Sequence, residues 1–306
     1  ELSHAGRLAP NDPLAMLLAG HRAAMNDDPA SAARSFEAAL AAAPPSWPRR
    51  PDALLALIVA LERAKNFDGC VELALETLSG DALGRSSTLA DFAATALDCA
   101  GRAPSGKAEK VRGLVAEKLK WVARDPSSPM SPDDRGDAFR LVWDAEEALG
   151  NVSRAREAAA ERLAVLDQAA LHAPNAAVAS TFDGARMETL VYLGRANEAV
   201  EFLVRREQEL PDDYNPPHRL ASAYQALGDH ANALAAIDRA IAKAWGARKA
   251  KMFDKRADIL VKLGRTADAR AAVEAELAHL RSLPEGQKKP ALEAAAEKRL
   301  ETLTEP

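Results

Sequence analysis

Three glycines set the period of this chain. Gly194, Gly228 and Gly264 are 34 and 36 residues apart, and a similar phrase follows each of them. The phrases are Gly194-Arg-Ala-Asn-Glu-Ala199, Gly228-Asp-His-Ala-Asn-Ala233 and Gly264-Arg-Thr-Ala-Asp-Ala269. Between Tyr214 and Trp245 the pattern is almost complete. Leu220, Ala221 and Tyr224 share one helical face, Gly228 ends that helix, and Ala233, Ile237 and Ala240 continue the apolar spacing on a second. A self-similar period in the mid-thirties predicts an array of stacked helical hairpins. Such an array grows linearly, so 306 residues need not divide into compact domains. It also presents a surface whose ligand is set by freely varying residues, so the pattern constrains the fold far more than the partner.

Composition agrees with an all-helical chain. Aromatic residues make up only 5%, and abundant alanine favours helix because it loses no side-chain entropy there. No run of 18 apolar residues suggests a membrane span. A net charge of −5 argues against general binding to nucleic-acid backbones. The charge is uneven: Lys243 to Glu301 carries fourteen Lys/Arg against nine Asp/Glu. The chain begins at Glu1 instead of methionine, as expected of a processed product or part of a longer protein, so the compartment is not legible. With two cysteines, Cys70 and Cys99, no disulfide framework is expected, and both read as small buried hydrophobes.

The spacing resembles the tetratricopeptide repeat, a 34-residue helix-turn-helix with a bulky residue at position 4, Leu at 7, a small residue at 8, Ala at 20, an aromatic at 24, Ala at 27 and Pro at 32. Numbered from Pro13, the first unit places Gly20, Ala32, Phe36, Ala39 and Pro44 at positions 8, 20, 24, 27 and 32. Further units begin at Pro51 (with Cys70 at position 20) and near Ser87, Gly136, Ser180, Tyr214 and Ala250. The resemblance implies a right-handed α-solenoid of about seven stacked hairpins with a C-terminal capping helix. It divides the chain into a lead-in at 1–12, three degenerate hairpins at 13–125, a Pro/Ser connector at 126–135, four hairpins at 136–283, and the capping helix and tail at 284–306. The boundaries between 84 and 135 are the least defined, because Arg102 to Lys107 stretches a turn. A 44-residue spacing separates Gly150 from Gly194.

Several motifs imitate chemistry. Gly101-Arg-Ala-Pro-Ser-Gly106-Lys107-Ala108 has the glycine and lysine spacing of a phosphate-binding loop, but it lacks the Ser/Thr after lysine and follows a helical stretch instead of a strand. The two cysteines form no Cys-x-x-Cys motif, and the six histidines include no i, i+4 pair. No serine, cysteine or paired-carboxylate active site is recognisable. The expectation is a chain without catalytic residues, metal or cofactor.

In the family it resembles, the first helix of each hairpin lines a concave groove through positions 2, 5, 6, 9, 12 and 13. Carried over residue by residue, this assigns Tyr192, Asn215, His218, Arg219, Gln225, Lys251, Lys255 and Lys262 to a peptide-binding groove. Acidic positions (Asp137, Asp144, Glu147, Glu188) fall earlier in the array. Some relatives hold the C-terminal carboxylate of chaperone tails with five residues. Lys251 and Lys255 match two of those positions, whereas Gly184, Glu188 and Arg219 do not match the other three. The resulting expectation is a non-catalytic scaffold that binds a protein or peptide segment, acidic or C-terminal, with no nucleic acid and no membrane span. Two alternatives remain. Tyr214-Asn-Pro-Pro-His-Arg219 and Ala244-Trp-Gly-Ala-Arg-Lys249 resemble the repeat tail that follows a thioredoxin fold in some bacterial proteins, which implies an accessory role beside an oxidoreductase domain outside this chain. The other is self-association through an exposed end of the array.

Overall fold

A computed structural model describes residues 12–84, 87–103 and 106–303. Among them are fifteen α-helices and no strand. The helices pair in chain order as α1 (Pro13–Met25) with α2 (Pro29–Ala42), α3 (Arg50–Arg63) with α4 (Phe67–Leu78), and α5 (Ser87–Arg102) with α6 (Ala108–Arg124). They continue as α7 (Pro132–Ala148) with α8 (Val152–Leu171), α9 (Ala176–Tyr192) with α10 (Ala196–Glu209), α11 (Asn215–Ala226) with α12 (His230–Lys243), and α13 (Gly246–Lys262) with α14 (Thr266–Ser282). A short 3-10 turn (Glu285–Gln287) leads to α15 (Pro290–Thr302). The chain divides into two compact units, 1–165 and 166–306, and the division falls within α8.

Six of the seven hairpins turn in the same way. The second residue after the first helix takes a left-handed conformation, with φ between 58° and 77° at Asp27, Lys65, Gly150, Gly194, Gly228 and Gly264. The next amide donates back five residues, as in Asp229 to Tyr224 (2.9 Å), Arg195 to Leu190 (2.8 Å) and Arg265 to Leu260 (2.9 Å). This bond satisfies a carbonyl that the helix end leaves orphaned. Side chains then cap the second helix: Asp28 accepts from the Ser31 amide, Asn66 from Gly69 and Asp229 from Asn232. Sequence and turn agree closely here.

Small residues at the helix contacts set the packing. A Cβ on Gly20 would lie 2.4 Å from the Phe36 ring, so this position must be glycine for α1 to approach α2. Ala32 and Ala39 beside it are fully buried. Ala221, Ala233 and Ala240 repeat the arrangement in the sixth hairpin. In unit 2, α15 covers the last apolar surface. Ala296 joins Ala257, Leu260 and Val273, and Leu300 and Leu303 pack against that cluster. Arg299 binds Asp254 and Asp258 on α13, the latter at 2.6 Å.

Two expectations are corrected. Cys70 on α4 and Cys99 on α5 are joined by a disulfide, with Cα atoms 6.2 Å apart, so they are not separate buried thiols. They lie 29 residues apart, but neighbouring hairpins bring α4 beside α5. The fourth hairpin also starts earlier than residue 136, and the connector ends at Ser131. Pro132 occupies the first helical turn and Ser131 forms a reciprocal capping box with Asp134. The 44-residue spacing between Gly150 and Gly194 reflects a 20-residue α8 and a 17-residue α9. Positions 1–11 of the sequence lead-in and Pro104–Ser105 of the stretched turn lie outside the described residues. Lys107 of that turn ion-pairs with Glu72 at 2.8 Å instead of addressing a phosphate.

Candidate functional site: a cationic lane and an apolar cleft

In unit 2, α11 and α13 carry most of the sequence-predicted groove residues. Pro216 and Pro217 start α11 in its first turn, where their missing amides disturb no helical bond, and this fixes the direction of His218 and Arg219. His218, Arg219 and Lys255 are half-buried and come together. Arg219 lies over Gly184 of α9, where a Cβ would be 3.4 Å from its Nε, and it donates to the Ser180 carbonyl at 2.8 Å. Lys255 donates to the Ser222 hydroxyl at 2.5 Å. Among the described residues, neither Arg219 nor Lys255 has a carboxylate within ion-pair distance.

The electrostatics follow from that placement. Burial, then the positive charges of Lys255 and Arg219, hold the His218 pKa down at about 4, so it is a neutral imidazole at neutral pH. Burial lowers Lys255 as well, with Asp258 opposing. Burial also lowers Arg219, against the pull of Asp183 and Asp213. Three basic groups are thus withdrawn from water without a bound acid.

The other predicted residues take different positions. Asn215 bonds within its own turn, its side chain donating to Asp213 at 2.8 Å. Tyr192 and Gln225 are half-buried, and Lys251 and Lys262 are exposed. Behind the lane, Asp183 is fully buried and accepts from Arg186 (3.1 Å) and Arg206 (2.7 Å). In α14, buried Glu276 leaves Oε2 without a hydrogen-bond partner. Burial and then Asp254 push its pKa up to about 7, Asp258 adding and Arg299 opposing.

Unit 1 offers a different surface. A cleft of about 370 Å³ opens between α1, α2 and α3, walled by His21, Ala24, Leu55, Ala56 and Val59. Asp27, Asp52 and Arg63 stand at its rim. Among the described residues, no group of three His, Cys, Asp or Glu could hold a metal ion, and no helix is long and apolar enough to cross a membrane.

No protein-family model matches the sequence, and no curated protein is detectably similar to it. Solved structures are. A tetratricopeptide repeat protein from Parabacteroides merdae is 15% identical, with a TM-score of 0.53 over 95% of this chain and 98% of that one. The fold is that of a tetratricopeptide-repeat protein. BtubC of P. vanneervenii (17% identity, 64% of this chain and 81% of that one, TM-score 0.44) is a more distant likeness. So is the TPR2AB domain of yeast Sti1 in its HSP90 complex (12% identity, 95% and 96%, TM-score 0.34). In tetratricopeptide-repeat numbering, Leu55, Ala56 and Val59 occupy positions 5, 6 and 9 of the second hairpin. Three apolar residues at positions that normally meet ligand were the available sequence signal for the cleft.

Proposed function

We propose that this chain is a non-catalytic scaffold that binds a protein or peptide segment, and that unit 2 holds the segment by an acidic or C-terminal carboxylate. The observation that carries this reading is the cluster of His218, Arg219 and Lys255, half-buried and lacking a bound acid. An incoming carboxylate would receive charge-assisted hydrogen bonds from Lys255 and Arg219 and would relieve their mutual repulsion. Exposed Lys251 and Lys262 extend the positive lane, and Asn215, Gln225 and Tyr192 supply neutral contacts. In unit 1 the apolar cleft beside Leu55 and Val59 suits an aliphatic side chain of a bound segment.

The test compares decapeptide libraries with free and amidated C-termini against the unaltered chain and Lys255→Met and Arg219→Gln variants. Free or acidic peptides are expected to bind at least about tenfold more tightly than neutral ones, with the preference lost in Lys255→Met. Binding should also raise the His218 pKa, read from its imidazole proton resonance. Equal affinity for free and amidated peptides, with His218 unmoved, would remove the carboxylate from the mechanism.

A further inference from the structure

Helix α3, Arg-Pro-Asp-Ala-Leu-Leu-Ala-Leu-Ile-Val-Ala-Leu-Glu-Arg, is apolar on both sides. Leu55, Ala56 and Val59 face the cleft described above. Leu54, Leu57 and Leu61 fall on the opposite face, about 170° away at about 100° per residue. A helix apolar all round is normally enclosed. The second face, with Leu54, Leu57 and Leu61 only 4–6% exposed, lies at the bottom of another groove, about 570 Å³, running between α2 and α4. Leu40 of α2 and Leu73 of α4 form its half-buried walls.

The rim has one dominant sign. Glu37 stands on α2, and Glu72 and Glu76 stand one turn apart on α4. All three are exposed. Glu72 already pairs with Lys107, and that contact holds its carboxyl below the usual carboxylate range, so it stays ionised. Arg50 is the cation on the groove lining, and it is directed to the Leu40 carbonyl at 3.5 Å. The carbonyl ends of α2 and α4 are met by cations from neighbouring elements, Arg50 at the Leu40 carbonyl and Lys118 at the Gly80 carbonyl (2.8 Å), so the negative sign of the rim rests on its glutamates. The leucine floor from Leu54 to Leu61 spans about 10 Å at about 1.5 Å per residue, the length of two helical turns.

We infer that this groove is a second docking site, one that takes a cationic amphipathic helix from a partner protein. Leucine-like residues of the partner at i, i+3 or i+4, and i+7 fill the floor. Lysines or arginines flanking that stripe meet Glu37 and Glu76, Glu72 being held by Lys107. The match is one of apolar length and of charge sign. The α4 wall is firmly placed, because the Cys70–Cys99 disulfide ties it to α5. This site lies in unit 1 and prefers positive charge, so it stands or falls separately from the anion-binding lane of unit 2.

The probe is a synthetic 16-residue helical peptide with a leucine stripe flanked by lysines, compared by fluorescence anisotropy with a glutamate-flanked counterpart. The lysine peptide is expected to bind at least about tenfold more tightly, and to weaken as salt shortens the screening length. An E37K/E76K variant, both changes on exposed positions, should lose about tenfold or more of that affinity while keeping its melting temperature. L73E, placed in the groove wall, should lose binding whatever the peptide's charge. Equal binding of the two peptides, no binding by either, or full retention by E37K/E76K would overturn the assignment. So would a concentration-dependent dimer abolished by E37K/E76K in sedimentation without peptide, since the groove would then be covered by a second copy.

Discussion

Reducing the Cys70–Cys99 bridge should loosen unit 1 measurably. The bridge joins residues separated by 29 positions and spans the second and third hairpins. In the chain-entropy treatment, closing a loop of that length restricts the unfolded chain by about 12 cal/mol/K, or about 3.5 kcal/mol near 25 °C. For a unit of 165 residues, that corresponds to a fall in melting temperature of roughly 10 °C. Both sulfurs are fully buried, and alanine already occupies the position equivalent to Cys70 in other hairpins (Ala32, Ala199, Ala233, Ala269), so a Cys70→Ala/Cys99→Ala variant should track the reduced protein with little extra cavity. Circular dichroism during heating, with and without a phosphine reductant, measures the shift. Only the transition belonging to unit 1 should move, because contacts in a repeat array are with nearest neighbours. Coincident oxidised and reduced melting curves would refute the argument. So would two titratable thiols in denatured, unreduced protein.

Further predictions follow from buried charge. Asp183→Ala should cost about 3–5 kcal/mol in urea unfolding of unit 2, because Arg186 and Arg206 lose the buried carboxylate that both address; a loss below about 1 kcal/mol would show that their other acids, Asp167 and Glu209, suffice. Glu276 has a folded pKa raised from 4.5 to about 7, so the folded state binds its proton more tightly than the unfolded chain. Stability of unit 2 should therefore fall as pH rises from 4.5 to about 7, and Glu276→Gln should flatten that slope in melting curves. His218 is the opposite case: its folded pKa is depressed from 6.5 to about 4, so its contribution is retained above 6.5 and lost as pH falls through that window. A titration of its ring protons with a midpoint near 6.5 would contradict the burial described here.

The hairpin order was legible because turn chemistry is local. Gly194, Gly228 and Gly264 mark left-handed turns, and the alanines after them mark close helix contacts, so both signals repeat at one spacing. In the first two hairpins the same conformation is held by Asp27 and Lys65, where no glycine announces it, and the sequence shows the repeat through Ala32 and Phe36 instead. The disulfide was not legible, since a separation of 29 residues says nothing of which helices meet. Arg219 shows the limit at the site. Repeat position places its Cα on the groove side, but whether the guanidinium projects outward or folds back over Gly184 to the Ser180 carbonyl depends on a neighbouring hairpin. Arg299 lies outside the repeat pattern, yet it ion-pairs with Asp254 and Asp258 on α13.

The turn at Lys65 leaves room for improvement by design. A side chain held at a φ of 58° carries steric strain that glycine escapes, and Lys65 is exposed, with no packing that requires its side chain. Lys65→Gly should therefore stabilise the second hairpin by up to about 1 kcal/mol, less the greater freedom glycine gives the unfolded chain. Natural sequences sit above a threshold instead of at an optimum. Homogenising the turns, by copying the residue at Gly228 into the N-terminal hairpins, is a direct route to a sturdier version of this array for binding experiments.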